Sequence, residues 1–427
     1  MKYLVNLVLF LLVTLLFNCL FPVTVSAEKL VNPQSKRADC LWDVCSIDTM
    51  KLSRDKARQE LYHPEFDKKI AEQIAQIKNT GANFVSIGTP YDKEFLPYLR
   101  RWVKAAREQD LNVYFRGNWS EWEGWFEYPK SMTPEEHLQR TTQFIVSQPD
   151  LFEDGDIFDP CPECENAGFW PQNDKNSDYQ QFIQKQQTVI QEAFQKISKK
   201  VQVRQSIIGG RAKDVLDQTT FDKLGNLIFI DHYVSKPKVM TAFVDYFTSL
   251  NTKVVVSEFG APIPDLNGNM TEKQQADFVR NILEALYLKN EAVLGLNYWV
   301  LSHGTTSLVE ESGREKNSYL VLQEYFSPQI VEGKVVDELE KPLSGVPITT
   351  KDGLKVLTDQ NGFYRLKYPV RSQELKIEAD KYTSQTASIA KGEKGSITTQ
   401  NFILKPEDPS LFYSLKLWWK NQGGFGF

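Results

Sequence analysis

The stretch KVVVSEFG, from Lys253 to Gly260, is a run of β-branched residues that ends in a carboxylate and a glycine. Runs of this kind are typical of buried strands. Similar runs recur between residues 38 and 326, and segments with the 3.6-residue period of amphipathic helices separate them. We predict strands near Leu41–Ile47, Asn83–Gly88, Leu111–Arg116, Asp156–Asp159, Val201–Ile207, Leu227–Asp231, Lys253–Ser257 and Val293–Val300. Eight strand–helix units of this kind predict an α/β fold that closes into a (β/α)8 TIM barrel.

Helix start signals support this alternation of strands and helices. Thr133-Pro134-Glu135-Glu136 combines a capping box with a proline at the first helical position, and Thr271 with Gln274 repeats the capping box. No glycine-rich phosphate loop follows the first strand, which disfavours the alternative of a doubly wound open sheet.

The overall composition is that of a globular protein with a sizeable core, since 41% of the 427 residues are apolar. The formal net charge is −5, and no run of Lys and Arg forms the basic stripe that a polyanion-binding protein needs. Nucleic acid is therefore not an expected partner.

The first residues carry the features of a secretory signal. Lys2 precedes an apolar stretch, and Val25-Ser26-Ala27 supplies small residues for cleavage after residue 27. An uncleaved membrane anchor is the alternative, because the apolar stretch nearly reaches bilayer length. We predict a signal peptide over 1–27, an extracytoplasmic location, either secreted or at the cell surface, and a barrel domain over 28–328.

The pattern changes after Ser327-Pro328. Strands of period 2 are separated by the tight turns Asp352-Gly353 and Asn361-Gly362. The stretch from Gly333 to Leu404 resembles the carboxypeptidase regulatory-like, transthyretin-like β-sandwich family, which implies a small all-β sandwich that serves as a spacer or adhesive module. We assign it to 329–405. The tail over 406–427, LFYSLKLWWKNQGGFGF in its main part, is too short to span a membrane, and it could associate with a membrane surface or stay disordered.

Four cysteines lie outside the predicted signal, namely Cys40, Cys45, Cys161 and Cys164. An even number in an exported chain favours two disulfides. A four-thiolate zinc site remains the alternative, because Cys161-Pro162-Glu163-Cys164 has ligand spacing. The pairing itself is not determined by the sequence.

Polar and aromatic residues follow the predicted strands, at the barrel end where active sites lie. The loop after the third strand reads NWSEWEGW, and acids and a further tryptophan follow the fourth strand. Apolar ring faces match the C–H face of a pyranose. We therefore predict sugar-stacking roles for the tryptophans of these loops, Trp119, Trp122, Trp125 and Trp170.

Two carboxylates in this region fit the chemistry of glycosidic bond cleavage. That reaction needs a carboxylic acid to protonate the leaving oxygen and a carboxylate on the opposite side of the anomeric carbon. Glu258 follows the buried run of the seventh strand directly, so we predict it as the nucleophile. Glu163 and Glu165, two residues apart after the fourth strand, are the candidates for the acid.

The stretch VVVSEFGAP is similar to the nucleophile strand of clan A, cellulase-like glycoside hydrolases. FDPCPECEN resembles the Asn-Glu-Pro acid/base motif of that family, with Glu163 at the matching glutamate. His232 and Tyr233 resemble the family's substrate-contacting His and the Tyr that hydrogen-bonds the nucleophile, and Trp299 resembles its sugar-stacking Trp. The resemblance implies a retaining glycosidase with Glu163 as acid/base and Glu258 as nucleophile.

The motif around Glu163 departs from the family. Pro162 replaces the asparagine that normally holds the sugar 2-hydroxyl, and Cys164 replaces the following proline. Asn166 is a candidate substitute for that asparagine, and Glu165 is predicted among the substrate-binding residues.

The leading hypothesis is an exported glycoside hydrolase that acts on a polysaccharide or glycoconjugate. The alternative is a non-catalytic glycan-binding surface protein built on a degenerate barrel. The sequence has no phosphate loop and no G-x-S-x-G elbow, which argues against nucleotide and esterase chemistry. We expect no cofactor, and no metal, because His63, His137 and His303 lack ligand spacing.

Overall fold

The computed structural model describes residues 39–166 and 176–421. The first part of the chain forms one parallel sheet with the order β5-β4-β3-β2-β1-β9-β8-β7-β6. Its strands are β1 (Val44–Asp48), β2 (Phe84–Ile87), β3 (Asn112–Phe115), β4 (Ile157–Phe158), β5 (Gln202–Val203), β6 (Ser206–Ile208), β7 (Leu227–Asp231), β8 (Lys253–Phe259) and β9 (Val293–Tyr298).

The two end strands of this sheet belong to one chain segment. Only Arg204 and Gln205 separate β5, which pairs with β4, from β6, which pairs with β7. The sheet therefore closes on itself, and β5 and β6 together form one of the eight strand positions, or staves, of the barrel wall. Each of the eight predicted strands overlaps a stave, and the predicted (β/α)8 barrel is confirmed.

Small apolar and aromatic side chains fill the centre of the barrel. They form a cluster separate from the main core, made of Val44, Phe84, Tyr114, Ile157, Leu227, Phe229 and Val255. Because side chains alternate along a strand, their neighbours in sequence point outward and pack under the helices. The next inward position beyond this layer lies at the carboxyl ends of the strands.

Helices cover the outside of the barrel, and their starts follow the sequence signals. The side chains of Thr133 and Thr271 both accept from the backbone of the third helical residue and complete the predicted capping boxes. The helices are α1 (Met50–Ser53), α2 (Ala57–Glu60), α3 (Asp67–Asn79), α4 (Leu96–Glu108), α5 (Ser120–Glu123), α6 (Pro134–Ser147), α7 (Asn176–Lys196), α8 (Gly209–Val215), α9 (Gln218–Lys223), α10 (Pro237–Ser249), α11 (Pro264–Asn267), α12 (Glu272–Tyr287), α13 (Asn317–Phe326) and α14 (Leu411–Asn421). Short 3-10 turns lie at Pro64–Phe66, Trp125–Glu127 and Pro149–Leu151.

A small β domain follows the barrel. Its two four-stranded sheets have the orders β13-β10-β16, with β17 also paired to β10, and β12-β11-β14-β15. The strands are β10 (Gln329–Asp337), β11 (Pro347–Thr350), β12 (Lys355–Leu357), β13 (Phe363–Tyr368), β14 (Gln373–Ile377), β15 (Gln385–Ile389), β16 (Ile397–Thr399) and β17 (Phe402–Leu404). The domain limits given above stay predictions, and the predicted signal over 1–27 lies outside the described residues.

Candidate active site

A pocket of about 270 Å³ opens at the carboxyl ends of the barrel strands. Its walls carry three glutamates, Glu123, Glu163 and Glu258, together with Arg116, Trp125 and Trp299. Glu258 lies in β8 and the others follow β3, β4 and β9, so chain segments far apart in sequence meet there. The fold thus brings both glutamates predicted as catalytic, Glu163 and Glu258, into one cavity.

Glu258 owes its position to an irregularity in β8. Between β7 and β8 the register jumps, so that Ile230 pairs with Val256 but Asp231 pairs with Glu258, and Ser257 is the extra residue. An extra residue in one strand re-aims the side chains that follow it. Without this jump, strict alternation from Val255 would turn Glu258 away from the pocket.

Both carboxylate oxygens of Glu258 accept strong hydrogen bonds. Arg116 Nη1 donates to Oε1 at 2.6 Å, and the Tyr233 hydroxyl donates to Oε2 at 2.8 Å. Charge-assisted bonds of this kind hold a carboxylate in one orientation. Glu258 is therefore a fixed anionic group whose charge a neighbouring guanidinium balances.

Arg116 is the buried cation at the centre of the site. Its side chain is 1% exposed, and Nη2 donates to Asp231 at 2.6 Å while Nη1 lies 3.6 Å from Asp48. Burial raises the pKa of both aspartates, and the positive charge of Arg116 opposes that rise. The sequence prediction did not single out Arg116, although a cation at the end of an apolar strand was a signal for it.

One carboxylate oxygen each from Glu163, Asp231 and Glu258 lie within 4.8 Å of one another. This is the one group of potential metal-ligating side chains found among the described residues. The Arg116 guanidinium already donates to Asp231 and to Glu258, so a cation of the protein itself occupies the space beside these two carboxylates.

Glu163 sits in a tightly held loop. Its backbone has a φ of 50°, a conformation that costs a non-glycine residue about 1–3 kcal/mol and that its surroundings must enforce. The amide of Glu163 donates to the Ser206 carbonyl at 3.1 Å, and its own carbonyl accepts from the Asn166 amide at 2.8 Å. Burial, and next the negative charge of Glu258, raise the pKa of Glu163 to about 8.

The four cysteines form two local disulfides, Cys40–Cys45 and Cys161–Cys164. A four-thiolate zinc site needs four free cysteines, whereas all four are paired in these disulfides. The Cys161–Cys164 bridge encloses Pro162 and Glu163, so it anchors the loop on both sides of the glutamate.

Two other residues of this loop take different positions. Asn166 lines the pocket, as a substitute for the missing asparagine would. Glu165 turns away from it, because its carboxylate accepts from the Ile208 amide at 2.5 Å and from the Tyr179 hydroxyl at 3.2 Å. Glu165 thus caps a strand end and buttresses the loop, and of the two candidate acids only Glu163 reaches the pocket.

Besides Glu165, three further residues predicted to bind substrate do not line this pocket. Trp122 is fully buried near His137 and Phe182, and the indole N–H of Trp119 donates to Thr141 in the core. Strand alternation turns His232 outward, where its ring stacks on Phe243 of α10 at a centroid distance of 4.2 Å. Burial lowers the pKa of His232 to about 4, so its ring is neutral. Trp170 lies outside the described residues.

Aromatic rings do line the pocket at two places. Trp299 and Trp125 both belong to its wall, and each carries a cation over its ring face, Lys51 at 5.5 Å and Arg54 at 4.8 Å from the respective centroid. Tyr233 contacts the site through Glu258 and packs edge-on against Trp299.

No family model matches the chain, and no curated protein matches its sequence. Among solved structures it is similar to the β-glycosidase BGL167, with 12% identity, coverage of 68% of this chain and 96% of that chain, and a TM-score of 0.47. It is similar to XacCel5A in complex with cellopentaose at 12% identity, with 67% and 99% covered and a TM-score of 0.47. It is also similar to native xylanase 10B from Thermotoga maritima, with 16% identity, coverage of 70% of this chain and 96% of that chain, and a TM-score of 0.45. At these identities and TM-scores, we base the function on the geometry of the site alone.

Proposed function

We propose that this protein is a retaining glycoside hydrolase that acts on a carbohydrate, with Glu258 as nucleophile and Glu163 as acid/base. One observation carries the proposal: two carboxyl groups approach within 4.8 Å in one pocket, and their surroundings differ. Arg116 balances the charge of Glu258, whereas burial and the charge of Glu258 favour the protonated form of Glu163. Opposite protonation states in one pair are what acid and nucleophile require.

The reaction then follows in two steps. Glu163 gives its proton to the glycosidic oxygen while a carboxylate oxygen of Glu258 attacks the anomeric carbon, so the C–O bond to the leaving group breaks and a glycosyl ester forms. Glu163, now a carboxylate, takes a proton from water, and the water oxygen displaces Glu258 from the anomeric carbon. Two displacements at one carbon restore the starting configuration.

The separation of the carboxyl groups favours retention over inversion. Retaining enzymes hold the two groups about 5–5.5 Å apart, and inverting enzymes about 6.5–9.5 Å apart to admit a water molecule between carboxylate and sugar. One carboxylate oxygen of Glu163 lies within 4.8 Å of one of Glu258, which supports the retaining arrangement.

The test is the stereochemistry of the first product. The mature protein is incubated with a panel of 4-nitrophenyl β-glycosides and β-glucan oligosaccharides, and proton NMR follows the anomeric signals before mutarotation. We expect the β-anomer to appear first. The α-anomer as first product would overturn the retaining mechanism, and glycan binding without any turnover would favour the non-catalytic binding protein, which the altered Pro162-Glu163-Cys164 motif keeps as the second candidate.

The pKa of Glu163 predicts the alkaline limb of the pH profile. Since the first step needs Glu163 protonated, kcat/KM is expected to fall as the pH rises through about 8, by tenfold per unit beyond it. The measurement is kcat/KM from pH 5 to 10 for an active aryl glycoside. In Glu163→Gln the alkaline limb should vanish, and the residual rate should be greatest for leaving groups that need no protonation. If the alkaline limb persists in this variant, it arises from the titration of another group.

The Cys161–Cys164 disulfide is expected to support catalysis through the position of Glu163. Replacing both cysteines with serine frees the loop and should lower kcat on the order of 10–100-fold, because small displacements of a catalytic group have effects of that size. The matched control replaces Cys40 and Cys45, whose bridge lies outside the pocket wall. Equal losses of kcat in the two double variants would show that the effect is not specific to the Glu163 loop.

We also propose that the protein is exported. The support is the two disulfides, which persist in oxidising compartments. In the described part of the chain, no helix has the length and apolar character needed to cross a bilayer.

We propose further that α14 lies on a membrane surface. Five large side chains of this 11-residue helix are each more than half exposed, and their spacing puts them on one face: Leu411, Phe412, Leu415, Trp418 and Trp419. Tryptophan favours the lipid–water interface, and Lys416 supplies charge complementary to anionic headgroups.

Vesicle binding tests the membrane proposal. The mature protein should sediment with vesicles of phosphatidylcholine and phosphatidylglycerol, more weakly with phosphatidylcholine alone, and at least about tenfold less after Trp418→Ala with Trp419→Ala. Leu357→Ala with Ile397→Ala, which removes equally exposed apolar groups from the β domain, is the control. A protein that dimerises through this helix and ignores vesicles would contradict the proposal.

A further inference from the structure

The pocket contains a third carboxyl group that the proposed reaction does not use. Glu123 ends the short helix α5 and lines the cavity with Glu163 and Glu258. Its Oε1 accepts from Asn118 Nδ2 at 2.6 Å, and within the described residues Oε2 accepts no hydrogen bond. A carboxylate oxygen without a protein partner at the wall of a ligand-sized cavity is available to a ligand.

A chain of hydrogen bonds fixes the orientation of Glu123. Burial lowers the pKa of His137 to about 3, so its ring is neutral and carries one N–H. Gln186 Nε2 donates to His137 Nδ1 at 3.5 Å, which leaves Nε2 to donate to Asn118 Oδ1 at 2.9 Å. The Asn118 amide must then direct its Nδ2 donors at Glu123. The carboxylate is thus aimed into the pocket by groups of the core.

Arg54 lies on the same wall of the pocket with free donors. Its guanidinium stacks over Trp125 at 4.8 Å, and among residues 39–166 and 176–421 it has one hydrogen-bond partner, Asp55, to which Nε donates at 2.8 Å. The backbone that follows Trp125 is itself fixed. Phe126 has a φ of 54°, and its carbonyl accepts a hydrogen bond from Arg58 Nη1 at 2.8 Å. Two separate chain segments, one after β1 and one after β3, therefore place the Arg54 donors and the Glu123 acceptor on the pocket wall.

We infer that Glu123 and Arg54 form a sugar subsite next to the two catalytic carboxyls, and that this subsite takes a neutral pyranose. One sugar hydroxyl donates to Glu123 Oε2, and a neighbouring hydroxyl accepts from the free Nη donors of Arg54. Trp125 acts as a positioning residue for Arg54 and not, as its sequence context predicts, as the stacking platform itself.

The charges around the pocket favour a neutral sugar over a uronic acid. Arg116 is paired with Glu258 and Asp231, while Lys51 and Arg54 both pair with Asp55. Each of these cations thus already has a carboxylate partner, with Asp55 shared by two of them, and a uronate would face Glu258 and, above the pKa of about 7 to which burial raises it, ionised Glu123. Like charges placed together disfavour the wrong ligand.

This inference rests on the proposed function, and the experiment separates the two. Affinity for cellotetraose and xylotetraose is measured calorimetrically in the Glu258→Gln background, and hydrolysis of these tetrasaccharides and of 4-nitrophenyl β-monosaccharides is measured with Glu258 intact. Glu123→Ala should weaken tetrasaccharide binding and raise KM at least about tenfold, since bonds to charged groups have effects of that size. In Glu123→Ala the rise in KM should be larger for the tetrasaccharides than for the monosaccharides, which leave the subsite empty.

The matched control is Glu121→Gln. Glu121 belongs to the same short helix but pairs with Arg140 outside the pocket, so this variant should bind and hydrolyse as the wild type does. Cellotetraose oxidised at C6 to its uronate form tests the charge preference: the wild type should bind it at least about tenfold more weakly than cellotetraose, and Glu123→Gln should narrow that difference.

The outcomes are distinguishable. If no glycoside turns over but cellotetraose binds in a manner that depends on Glu123, the hydrolase proposal fails and the subsite stands. The subsite is overturned if neither tetrasaccharide binds, if Glu123→Ala binds both within about twofold of the wild type, or if the oxidised and neutral cellotetraose bind equally.

Discussion

Glu258→Gln is expected to lower kcat by a factor on the order of 10⁴ or more, because the amide cannot form the glycosyl ester on which both steps depend. Gln is chosen because its oxygen can still accept from Arg116 and its shape matches the wild-type side chain, so the buried arginine keeps a partner. The measurement is steady-state hydrolysis of the best aryl glycoside from the panel. Equal thermal unfolding midpoints for variant and wild type would show that the loss is chemical.

A small anion provides the control for this assignment. In Glu258→Gly the missing carboxylate leaves space beside the anomeric carbon, so azide should restore part of the rate and yield an α-glycosyl azide from a β-glycoside, because only one displacement then occurs. In Glu163→Ala azide should restore the second step and yield the β-glycosyl azide. A Glu258→Gln variant with more than about a tenth of the wild-type rate would assign the nucleophile to another group.

The sequence predicts which residues reach the barrel mouth, but not which way their side chains point. At the end of β7, alternation places Asp231 and Tyr233 on the inner face and His232 between them on the outer face. A shift of one residue in the pairing register of the strand would reverse this assignment. The resemblance of His232 and Tyr233 to a known motif identified the segment, and the alternation of side chains along the strand decided that, of these two side chains, the tyrosine contacts the Glu258 carboxylate.

The inward position of Glu258 depends on a feature that the composition of its strand does not reveal. Nothing in the run VVVSEFG marks Ser257 as an extra residue in the pairing with β7. In the structure the hydroxyl of Ser257 donates to Asp231 at 2.6 Å, which fixes the irregular segment. Long-range pairing thus sets the aim of the nucleophile, and local sequence sets only its place in the chain.

Tryptophans in the loop after β3 illustrate the same limit. Four residues from Ser120 to Glu123 form a helical turn, which sends Trp122 into the core and Glu123 into the pocket. Loop residues are predicted on composition, and composition favoured the aromatic rings over the acid. In the structure, Glu123 of this helical turn lines the cavity, and Trp122 does not.

Arg116→Met is expected to lower the free energy of unfolding by about 3–5 kcal/mol at neutral pH, because it removes one partner of a buried ion pair and leaves the other partners uncompensated. Asp48, Asp231 and Glu258 all lie within 3.6 Å of the guanidinium nitrogens. Met keeps much of the volume, so the loss reflects charge more than packing. Urea denaturation monitored by tryptophan fluorescence measures it, and kcat should fall with it because Glu258 loses its fixed donor.

The pH dependence of this loss follows from the buried aspartates. Burial raises the pKa of Asp48 and Asp231 in the folded protein, and removing Arg116 raises both further. A carboxyl group with a raised folded-state pKa binds more protons when folded, so its contribution to stability falls as the pH rises from its unfolded pKa to its folded one. The difference in unfolding free energy between Arg116→Met and wild type should therefore be small near pH 4 and grow toward pH 8.

Arg107→Met is the matched control for the expected loss of kcat in Arg116→Met. Arg107 forms a two-pronged pair with the fully buried Asp156 on the far side of β4 from the pocket, with Nη1 to Oδ1 at 2.8 Å. Its loss should cost stability by a similar mechanism but leave kcat and the alkaline limb of activity unchanged. If the two variants lower kcat equally, the activity loss in Arg116→Met comes from instability, and the direct support of Glu258 by Arg116 is refuted.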